Sequence, residues 1–279
     1  MDGSEKIEEM ALTAYQITIL RLLSERRRRE GISYVAGGAA LNRALGAARC
    51  SRDLDLFHDT QEALQAAWEA DRQTLANAGH RIELIRETPS FIEAEIAHDD
   101  DRVVIEWVRD SAFPFFPPQE DELLGLSLHP FDLATNKILA MAGRLEPRDW
   151  IDTMECHRHL QQLGYLIWAA CGKDPGVNPD MVVSDAARLH YSQLELNDLD
   201  FEGSSPSASM LGKEWKQAVA EAKQHVTRLP EEYLGQCVLN ARDLTLYRGS
   251  PQQLEEDLKH KRVAFHAGSI GGAWPRLKK

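Results

Sequence analysis

Two aspartates separated by one residue, Asp53 and Asp55, form an acidic pair whose spacing is suited to chemistry. They lie in residues 52–57, where polar and apolar side chains alternate as in a half-buried strand. Positions i and i+2 of a strand face the same side, so the two carboxylates would project together. Two negative charges held so close repel each other unless a cation lies between them. The spacing therefore indicates a site for Mg²⁺ (or Mn²⁺), although such a pair is also common at a solvated strand end.

A third carboxylate, Glu106, lies in another predicted strand, residues 102–108, between two apolar neighbours. If Glu106 faces the same side as Asp53 and Asp55, the three carboxylates could hold two metal ions for in-line phosphoryl transfer. The alternative is a glutamate on the rim of an edge strand. The orientation of this strand decides between the two interpretations.

A glycine pair, Gly37 and Gly38, follows a predicted strand at residues 32–35 and precedes a predicted helix at residues 39–45. Glycines at the N-terminus of a helix let backbone N–H groups approach a phosphate closely. The alternative is an ordinary tight turn. The strand, turn and helix together indicate a phosphate site just before the acidic pair.

Three basic residues, Lys137, Arg144 and Arg148, are spaced seven and four apart. In one continuous helix they would form a basic stripe that could face a triphosphate or an RNA backbone. Pro147 could instead begin a new helix and redirect Arg148. Local pairing is a further alternative, because Arg148 and Asp152 have the spacing of a helix-surface salt bridge.

The hydrophobic periodicity predicts the elements that must position these side chains. Further helices are predicted for residues 5–29 and 61–78, and further strands for residues 81–87 and 91–97. From residue 131 the pattern is almost wholly helical, with helices predicted at residues 133–144, 147–163, 165–171, 181–191, 209–227 and 230–241 and a helix start at residue 250. Residues 197–209, rich in Gly and Ser, predict a flexible connection. The sequence thus predicts an α+β fold, with a mixed β-sheet and flanking helices in residues 1–130 and a helical half in residues 131–279.

Four consecutive arginines, residues 26–29, end the first predicted helix, which Gly31 would stop. Cations are favoured there because the carbonyls and the macrodipole of a helix C-terminus attract positive charge. A nucleic-acid-binding patch is the alternative interpretation.

The composition excludes several classes of protein. The 279 residues are 43% hydrophobic and 27% charged, as in a globular chain of one large or two small domains. Short apolar runs and acidic first residues predict neither a membrane span nor an export signal, so we expect a cytoplasmic protein. Four scattered cysteines predict free thiols. The net charge of -12 argues against nucleic-acid binding over the whole surface, but it leaves a local basic groove open.

Two ordered motifs resemble the signature of a known family, the AbiEii/AbiGii-type nucleotidyltransferase toxins of the polymerase-β-like nucleotidyltransferase superfamily. The first motif is residues 35–41, then Gly46 and residues 51–57; the second is residues 132–140, then Arg144, Arg148, Asp149 and Asp152. The resemblance covers about residues 31–165. The chain has Ala39 and Ala40 where the family often has a Ser or Thr hydroxyl, and Glu106 where Asp is common.

The resemblance implies a nucleotidyltransferase-type fold whose helical half closes over the nucleotide. It implies a metal-dependent enzyme that moves a nucleoside monophosphate from an NTP to an acceptor and releases pyrophosphate. By motif position, the metal ligands would be Asp53, Asp55 and Glu106; the NTP would contact Gly37, Gly38, Ser51, Lys137 and Arg148; and the catalytic set would be Asp53, Asp55, Glu106, Lys137, Asp149 and Asp152.

In characterised members of the family the acceptor can be the 3′ end of tRNA, and an antitoxin is usually encoded beside the toxin. We therefore expect an NTP, an RNA acceptor such as tRNA and an antitoxin protein as partners, and no membrane. Other acceptors stay open, namely a small molecule, as in aminoglycoside nucleotidyltransferases, or a protein hydroxyl. The net charge of -12 suits these better, because tRNA needs compensating basic residues. A non-catalytic nucleotide-binding protein is the remaining alternative.

Overall fold

A mixed β-sheet forms the centre of the computed structural model, which describes residues 12–110 and 113–269. Its strands are β1 (Tyr34–Ala36), β2 (Asp53–His58), β3 (Arg81–Thr88), β4 (Phe91–His98), β5 (Asp101–Arg109), β6 (Gln119–Asp121) and β7 (Gly125–Ser127). Within the described residues they lie in the order β3-β4-β5-β2-β1-β7-β6. The β2–β5 and β1–β7 pairs are parallel and the others are antiparallel. The predicted mixed sheet is confirmed.

Helices flank this sheet and form most of the second half of the chain. They are α1 (Ala14–Glu30), α2 (Gly37–Leu45), α3 (Gln61–Asn77), α4 (Pro130–Arg144), α5 (Pro147–His159), α6 (Leu163–Ala170), α7 (Pro179–Arg188), α8 (Gln193–Asn197), α9 (Ala208–Arg228) and α10 (Pro251–Lys259). Local signals explain several starts: Thr13, Ser192 and Ser250 each form a capping box. Proline occupies the first turn of α4, α5, α7 and α10, where its missing N–H is not needed. No helix in the described part of the chain is long and apolar enough to cross a membrane.

The alternation of side chains in β2 and β5 decides which face of the sheet carries the acidic residues. Leu54 and Leu56 of β2 are buried, as is Trp107 of β5. Their polar neighbours, Asp55 and Glu106, therefore project from the opposite face. Burial of the apolar face fixes the strand register, because a slip of one residue would turn the carboxylates into the core.

A buried polar cluster of Trp107, Asp71 and Arg26 anchors β5 on the face of the sheet opposite the carboxylates. Trp107 packs edge-on against Trp68 of α3, with ring centres 4.7 Å apart. Its indole N–H donates to the buried Asp71 carboxylate at 2.9 Å, and Arg26 of α1 donates to the same carboxylate. The cluster joins α1 and α3 to the strand that carries Glu106.

The arginine run ends α1 as the sequence predicts, and Gly31 takes the left-handed conformation with φ +66°. Arg27 is buried and donates to the Leu124 carbonyl at 2.6 Å. Arg28 donates to the carbonyl oxygens of residues 121 and 122. These arginines hold the turn between β6 and β7 against α1. The first residues of the predicted helix, 5–11, lie outside the described residues.

The prediction of a helix at residues 230–241 is wrong. A short 3₁₀ turn, Glu231–Tyr233, precedes strand β8 (Gln236–Asn240), which pairs antiparallel with β9 (Val263–Ala267). Gly235, with φ +80°, turns the chain between the 3₁₀ turn and β8. Cys237, Val238 and Leu239 are buried, as β-forming apolar residues commonly are in strands. The second half of the chain is therefore not wholly helical.

Two further expectations fail in detail. The helix predicted for residues 147–163 ends earlier, at His159, and the helix predicted for residues 165–171 begins earlier, at Leu163. Between them Gln161 turns inward and donates to the carbonyls of Val238 and Tyr247. The predicted flexible connection is held in place, since the N–H of Cys50 donates to the Asp200 carbonyl at 2.9 Å. The four cysteines are free thiols, as expected. The proposed division of the chain at residues 130 and 131 coincides with the start of α4 and stays a prediction.

The Asp71 cluster provides a test of what anchors the sheet. We expect Asp71→Ala to lower the free energy of unfolding by about 3 kcal/mol, because it leaves a buried indole N–H and a largely buried guanidinium without their partner. Glu69→Ala, an exposed position on the same helix, should change it by less than about 0.5 kcal/mol. Urea denaturation of both variants measures the difference, and equal values would show that the cluster does not anchor β5.

Candidate active site

A cavity of about 460 Å³ opens between the acidic face of β2 and β5 and the helices α4 and α5. Eight of the predicted site residues line it, namely Gly37, Gly38, Ser51, Asp53, Asp55, Glu106, Lys137 and Arg148. Asp149 and Asp152 are fully buried and are not part of its wall. The structure thus brings together groups that are up to 111 residues apart in sequence, from Gly37 to Arg148.

The three carboxylates lie on one face of two neighbouring parallel strands. Asp55 is the direct cross-strand partner of Glu106, and Asp53 lies two residues before Asp55 on the same face. Burial raises the pKa of Asp55, and burial together with the charge of Asp55 raises the pKa of Glu106 to about 7. Clustered acidic groups that resist ionisation indicate a place where a cation would be stabilised.

The donor set fits a hard divalent cation such as Mg²⁺. Within residues 12–110 and 113–269, no three acidic, histidine or cysteine side chains are close enough together to form a complete metal-binding group. Mg²⁺ is commonly bound by only one or two carboxylates, with water and substrate phosphates as the other ligands. One or two of the carboxylates Asp53, Asp55 and Glu106 would therefore hold the metal, and oxygens of a bound phosphate compound and water would complete its coordination.

The glycine turn at the start of α2 closes one side of the cavity. Gly37 has φ +65°, and a Cβ atom there would lie 1.7 Å from Oδ2 of Asp55. A Cβ on Gly38 would lie 2.5 Å from Nη2 of Arg49 and 3.1 Å from Oγ of Ser51. The missing side chains thus let the helix N-terminus, which favours anions, approach the carboxylates. Ser51 places a hydroxyl beside this turn, although Ala39 and Ala40 within α2 have none.

Lys137 is held by two buried carboxylates. Its Nζ lies 2.9 Å from Oδ1 of Asp149 and 3.1 Å from Oδ2 of Asp152. Arg49 donates to both oxygens of Asp152 at 2.6 and 2.8 Å, and Arg144 donates to Asp149 at 2.9 and 3.1 Å. Three cations on two carboxylates leave a net charge of +1, and all three cations line the cavity. Asp149 and Asp152 therefore position basic groups from behind the wall.

The pKa shifts in this cluster follow from its charges. Burial disfavours an ammonium, but Asp152 and Asp149 outweigh it and raise the pKa of Lys137. Burial likewise disfavours a carboxylate, but Lys137 and Arg49 hold the pKa of Asp152 below its usual value. Lys137 and Asp152 are therefore both charged at neutral pH.

Lys137, Arg144 and Arg148 all line the cavity, but they lie on two helices and not on one continuous helix. Leu145 takes φ +56° and ends α4, and Pro147 begins α5. The new helix brings Nη1 of Arg148 to 4.0 Å from Oδ2 of Asp53. The alternative pairing of Arg148 with Asp152 is not formed, because Asp152 binds Arg49 and Lys137.

Sequence reasoning missed three polar residues of the cavity wall, Arg49, Asp110 and Asn136. Arg49 lies just before Ser51 of the first motif, Asn136 lies next to Lys137 in the second, and Asp110 lies outside both. Arg49 could have been suspected from that position, but its pairing with Asp152, 103 residues away, has no local signal. The apolar part of the wall includes Phe57 and Leu133.

Comparison with known proteins places these features in a family. The family model for the nucleotidyl transferase AbiEii toxin, of type IV toxin–antitoxin systems, matches residues 21–226. These residues include every cavity residue named above. No curated protein matches the chain.

Solved structures share the fold at low sequence identity. A candidate nucleotidyltransferase from H. pylori is 16% identical, with a TM-score of 0.52 over 78% of this chain and 97% of that one. JHP933 from Helicobacter pylori is 16% identical, with a TM-score of 0.51 over 77% and 95% of the two chains. MenT4, the nucleotidyltransferase toxin Rv2826c from Mycobacterium tuberculosis H37Rv, is 15% identical, with a TM-score of 0.51 over 78% and 86%. At these identities the likeness establishes the fold alone.

The contact between Gly37 and Asp55 predicts a specific defect. Gly37→Ala and Gly46→Ala both place a side chain at positive φ, at opposite ends of α2, and this backbone strain should cost each variant about 1 kcal/mol. The overlap with Asp55 adds a further cost for Gly37→Ala alone. Only the first displaces the Asp55 carboxylate, since a Cβ on Gly46 meets nothing within 4 Å. Calorimetric titration with an NTP and Mg²⁺ should show binding at least about tenfold weaker for Gly37→Ala alone. Equal binding by the two variants would contradict this role of the turn.

The buried cluster under Lys137 predicts a large loss of stability. Lys137→Met should lower the free energy of unfolding by about 2–3 kcal/mol, because it removes one of three cations from two buried carboxylates, each of which keeps an arginine. Arg158→Met breaks pairs with Glu155 and Glu214 at the surface and should cost less than about 1 kcal/mol. Guanidinium unfolding of both proteins makes the comparison. A loss below about 1 kcal/mol for Lys137→Met would show that the arginines alone neutralise the carboxylates.

Proposed function

Because the chain belongs to the AbiEii family of nucleotidyltransferase toxins, we propose that its cavity binds an NTP with Mg²⁺ and transfers the nucleoside monophosphate to RNA. The favoured acceptor is the 3′ end of tRNA, and pyrophosphate is released. The observation that carries the proposal is the pairing of Asp55 with Glu106 across parallel strands, opposite a wall that contains Lys137 and Arg148. Acidic groups for a metal and basic groups for a triphosphate thus face one cavity.

The reaction is a displacement at the α-phosphorus of the NTP. A hydroxyl oxygen of the acceptor forms the new bond to this phosphorus, the bond to the β-phosphate bridging oxygen breaks, and the hydroxyl proton passes to water. When bound, Mg²⁺ on Asp53, Asp55 and Glu106 would supply positive charge to the phosphate oxygens. The protein contributes chiefly position and electrostatics, because such transition states need little covalent help.

The residues of the cavity divide this work. Backbone N–H groups at Gly37 and Gly38, with the Ser51 hydroxyl, would hold phosphate oxygens at the N-terminus of α2. Lys137 and Arg148 would neutralise the triphosphate. Lys137 can do so while held by Asp149 and Asp152, because an ammonium has three donors and the cluster keeps a net positive charge.

The mouth of the cavity favours an RNA acceptor. The side chains of Arg144 and Arg148 are 50% and 40% exposed, so both can contact a phosphate backbone outside the cavity. The chain as a whole is acidic, with a net charge of -12, and would repel RNA away from these arginines. The RNA contact is therefore expected to be local and strongly weakened by salt.

The family also bears on the biological setting. Membership in a type IV toxin–antitoxin family implies an antitoxin partner. We place the toxin and its antitoxin in the cytoplasm, where NTPs and tRNA are both available. The harm to the cell would follow from blocking the acceptor end of tRNA.

The activity is tested by incubating the protein with Mg²⁺, each α-labelled NTP in turn and total cellular RNA. We expect label in a tRNA-sized band, and we expect EDTA to abolish it. The double variant Asp53→Asn, Asp55→Asn should incorporate at least about a hundredfold less label. The control is Asp99→Asn, Asp100→Asn, which changes charge equally in the exposed turn between β4 and β5 and should keep full activity.

Each other outcome removes part of the proposal. NTP binding without labelled RNA would overturn the RNA acceptor and direct the search to small molecules or protein hydroxyls. Labelling that survives EDTA would overturn the metal role of the carboxylates. If the protein neither labels RNA nor binds an NTP, the enzymatic proposal fails as a whole.

A further inference from the structure

We infer that Asn136 determines which nucleotide the cavity accepts, because Lys173 orients its amide so that only N–H donors face the ligand. The inference rests on the proposed binding of an NTP in this cavity. Asn136 lies on the cavity wall, one residue before Lys137 on α4, and it is partly exposed. It would act as a specificity-determining residue that contacts the nucleoside part of the ligand.

The orientation of the amide follows from the chemistry of its partner. Nζ of Lys173 donates to Oδ1 of Asn136 at 2.7 Å. An ammonium has three donors and no acceptor, so the amide must present its oxygen to Lys173 and its NH₂ group away from it. Among the described residues, that NH₂ group has no hydrogen-bond partner. A half-turn of the amide would replace the hydrogen bond by repulsion between donors, so one orientation is strongly favoured.

Lys173 is itself fixed. Its side chain is only 8% exposed, and Nζ donates to the Asp132 carboxylate at 2.9 Å and to the Asp132 carbonyl at 3.4 Å. With Asn136 these contacts occupy all three donors. The ammonium also lies 5.5 Å from the centre of the Phe115 ring. Asp132 is fully buried and accepts from the N–H groups of Phe115 and Phe116, so it cannot move to release the lysine.

The backbone before Lys173 is fixed as well. A Cβ on Gly172 would lie 2.3 Å from the carbonyl oxygen of Gly235, just before β8. The two glycines thus allow close contact between the loop after α6 and the turn before β8. Lys173 reaches the cavity wall from a rigidly packed loop of the second half of the chain.

The neighbours of Asn136 make its donors selective. Leu133 and Ala140 lie three residues before and four residues after it on α4, so they share its face and line the cavity. Between these two apolar side chains Asn136 favours a ligand oxygen that accepts its N–H over a ligand amino group, which the amide N–H would leave unpaired. The recognised chemistry is an acceptor atom of the nucleoside, either a base carbonyl or a ribose hydroxyl.

The test measures dissociation constants for ATP, GTP, CTP and UTP, and for the 2′-deoxy form of the tightest ligand, with Mg²⁺ and no acceptor. We expect the wild-type protein to discriminate by at least about tenfold, either among bases or between ribose and deoxyribose, which identifies the acceptor atom. Asn136→Leu removes the donors and should reduce that ratio to within about twofold. Asn77→Leu, the same change at the exposed end of α3, should leave the ratio unchanged.

Two further variants separate recognition from packing or charge. Asn136→Asp keeps an oxygen for Lys173 but presents a second oxygen to the cavity, so the preferred ligand should become the least preferred. The added negative charge should weaken the binding of all triphosphates equally. The ratio of their dissociation constants therefore still reports the change at the amide. Lys173→Met frees the amide of the unchanged Asn136 and should also reduce the ratio. If that variant fails to fold, the Asn136 variants still decide.

The outcomes distinguish this inference from the proposed function. If Asn136→Leu binds NTPs with the same ratios as the wild-type protein, the inference is wrong while NTP binding stands. If the wild-type protein binds all the ligands equally, the inference is also wrong. If the wild-type protein binds none of them, the proposed function fails first.

Discussion

Charge compensation at two buried carboxylates is the interaction on which the site depends. Asp149 and Asp152 of α5 lie behind the cavity wall and hold Lys137, Arg144 and Arg49, which come from α4 and from the segment before β2. A buried carboxylate is stabilised only when it is paired, and these two are paired several times over. The same contacts that hold the helices to the sheet therefore also place three cations on the cavity wall.

The opposite wall of the cavity has an excess of negative charge. Asp53, Asp55 and Glu106 gather negative charge on one sheet face, and their mutual repulsion is relieved only partly by Arg148. The protein alone thus leaves one side of the cavity short of positive charge and the other side with an excess. A metal ion and a triphosphate bound together would satisfy both sides, which neither would do alone.

Local patterns predicted the parts of this arrangement that depend on local geometry. Alternation in β2 predicted that Asp53 and Asp55 share one face because side chains in a strand repeat every two residues. The face of Glu106 stayed open until the pairing of β5 with β2 was known. The break at Pro147 was one of the expected alternatives because proline favours the first turn of a helix. The motif resemblance drew attention to Lys137 and Arg148 in the second half of the chain.

Contacts between distant segments were beyond such patterns. The pairing of β8 with β9 was missed because the period of a short apolar run does not separate a buried strand from a helix. Nothing near Arg49 or Asn136 indicates their partners, since Asp152 and Lys173 lie 103 and 37 residues further along the chain. Tertiary packing alone brings these side chains together.

The hairpin of β8 and β9 has a consequence for how sequence changes in this protein are interpreted. It lies beyond residue 226, where the family match ends. Yet Gly235, just before β8, touches Gly172, and Nε2 of His266 on β9 lies 2.6 Å from the Phe115 carbonyl oxygen. The hairpin therefore supports the surroundings of Lys173 from two sides. A substitution in the hairpin would thus be transmitted to Lys173, and through it to Asn136, while every residue of the two motifs stays the same. Two chains with identical motifs would on this ground be expected to differ in nucleotide preference.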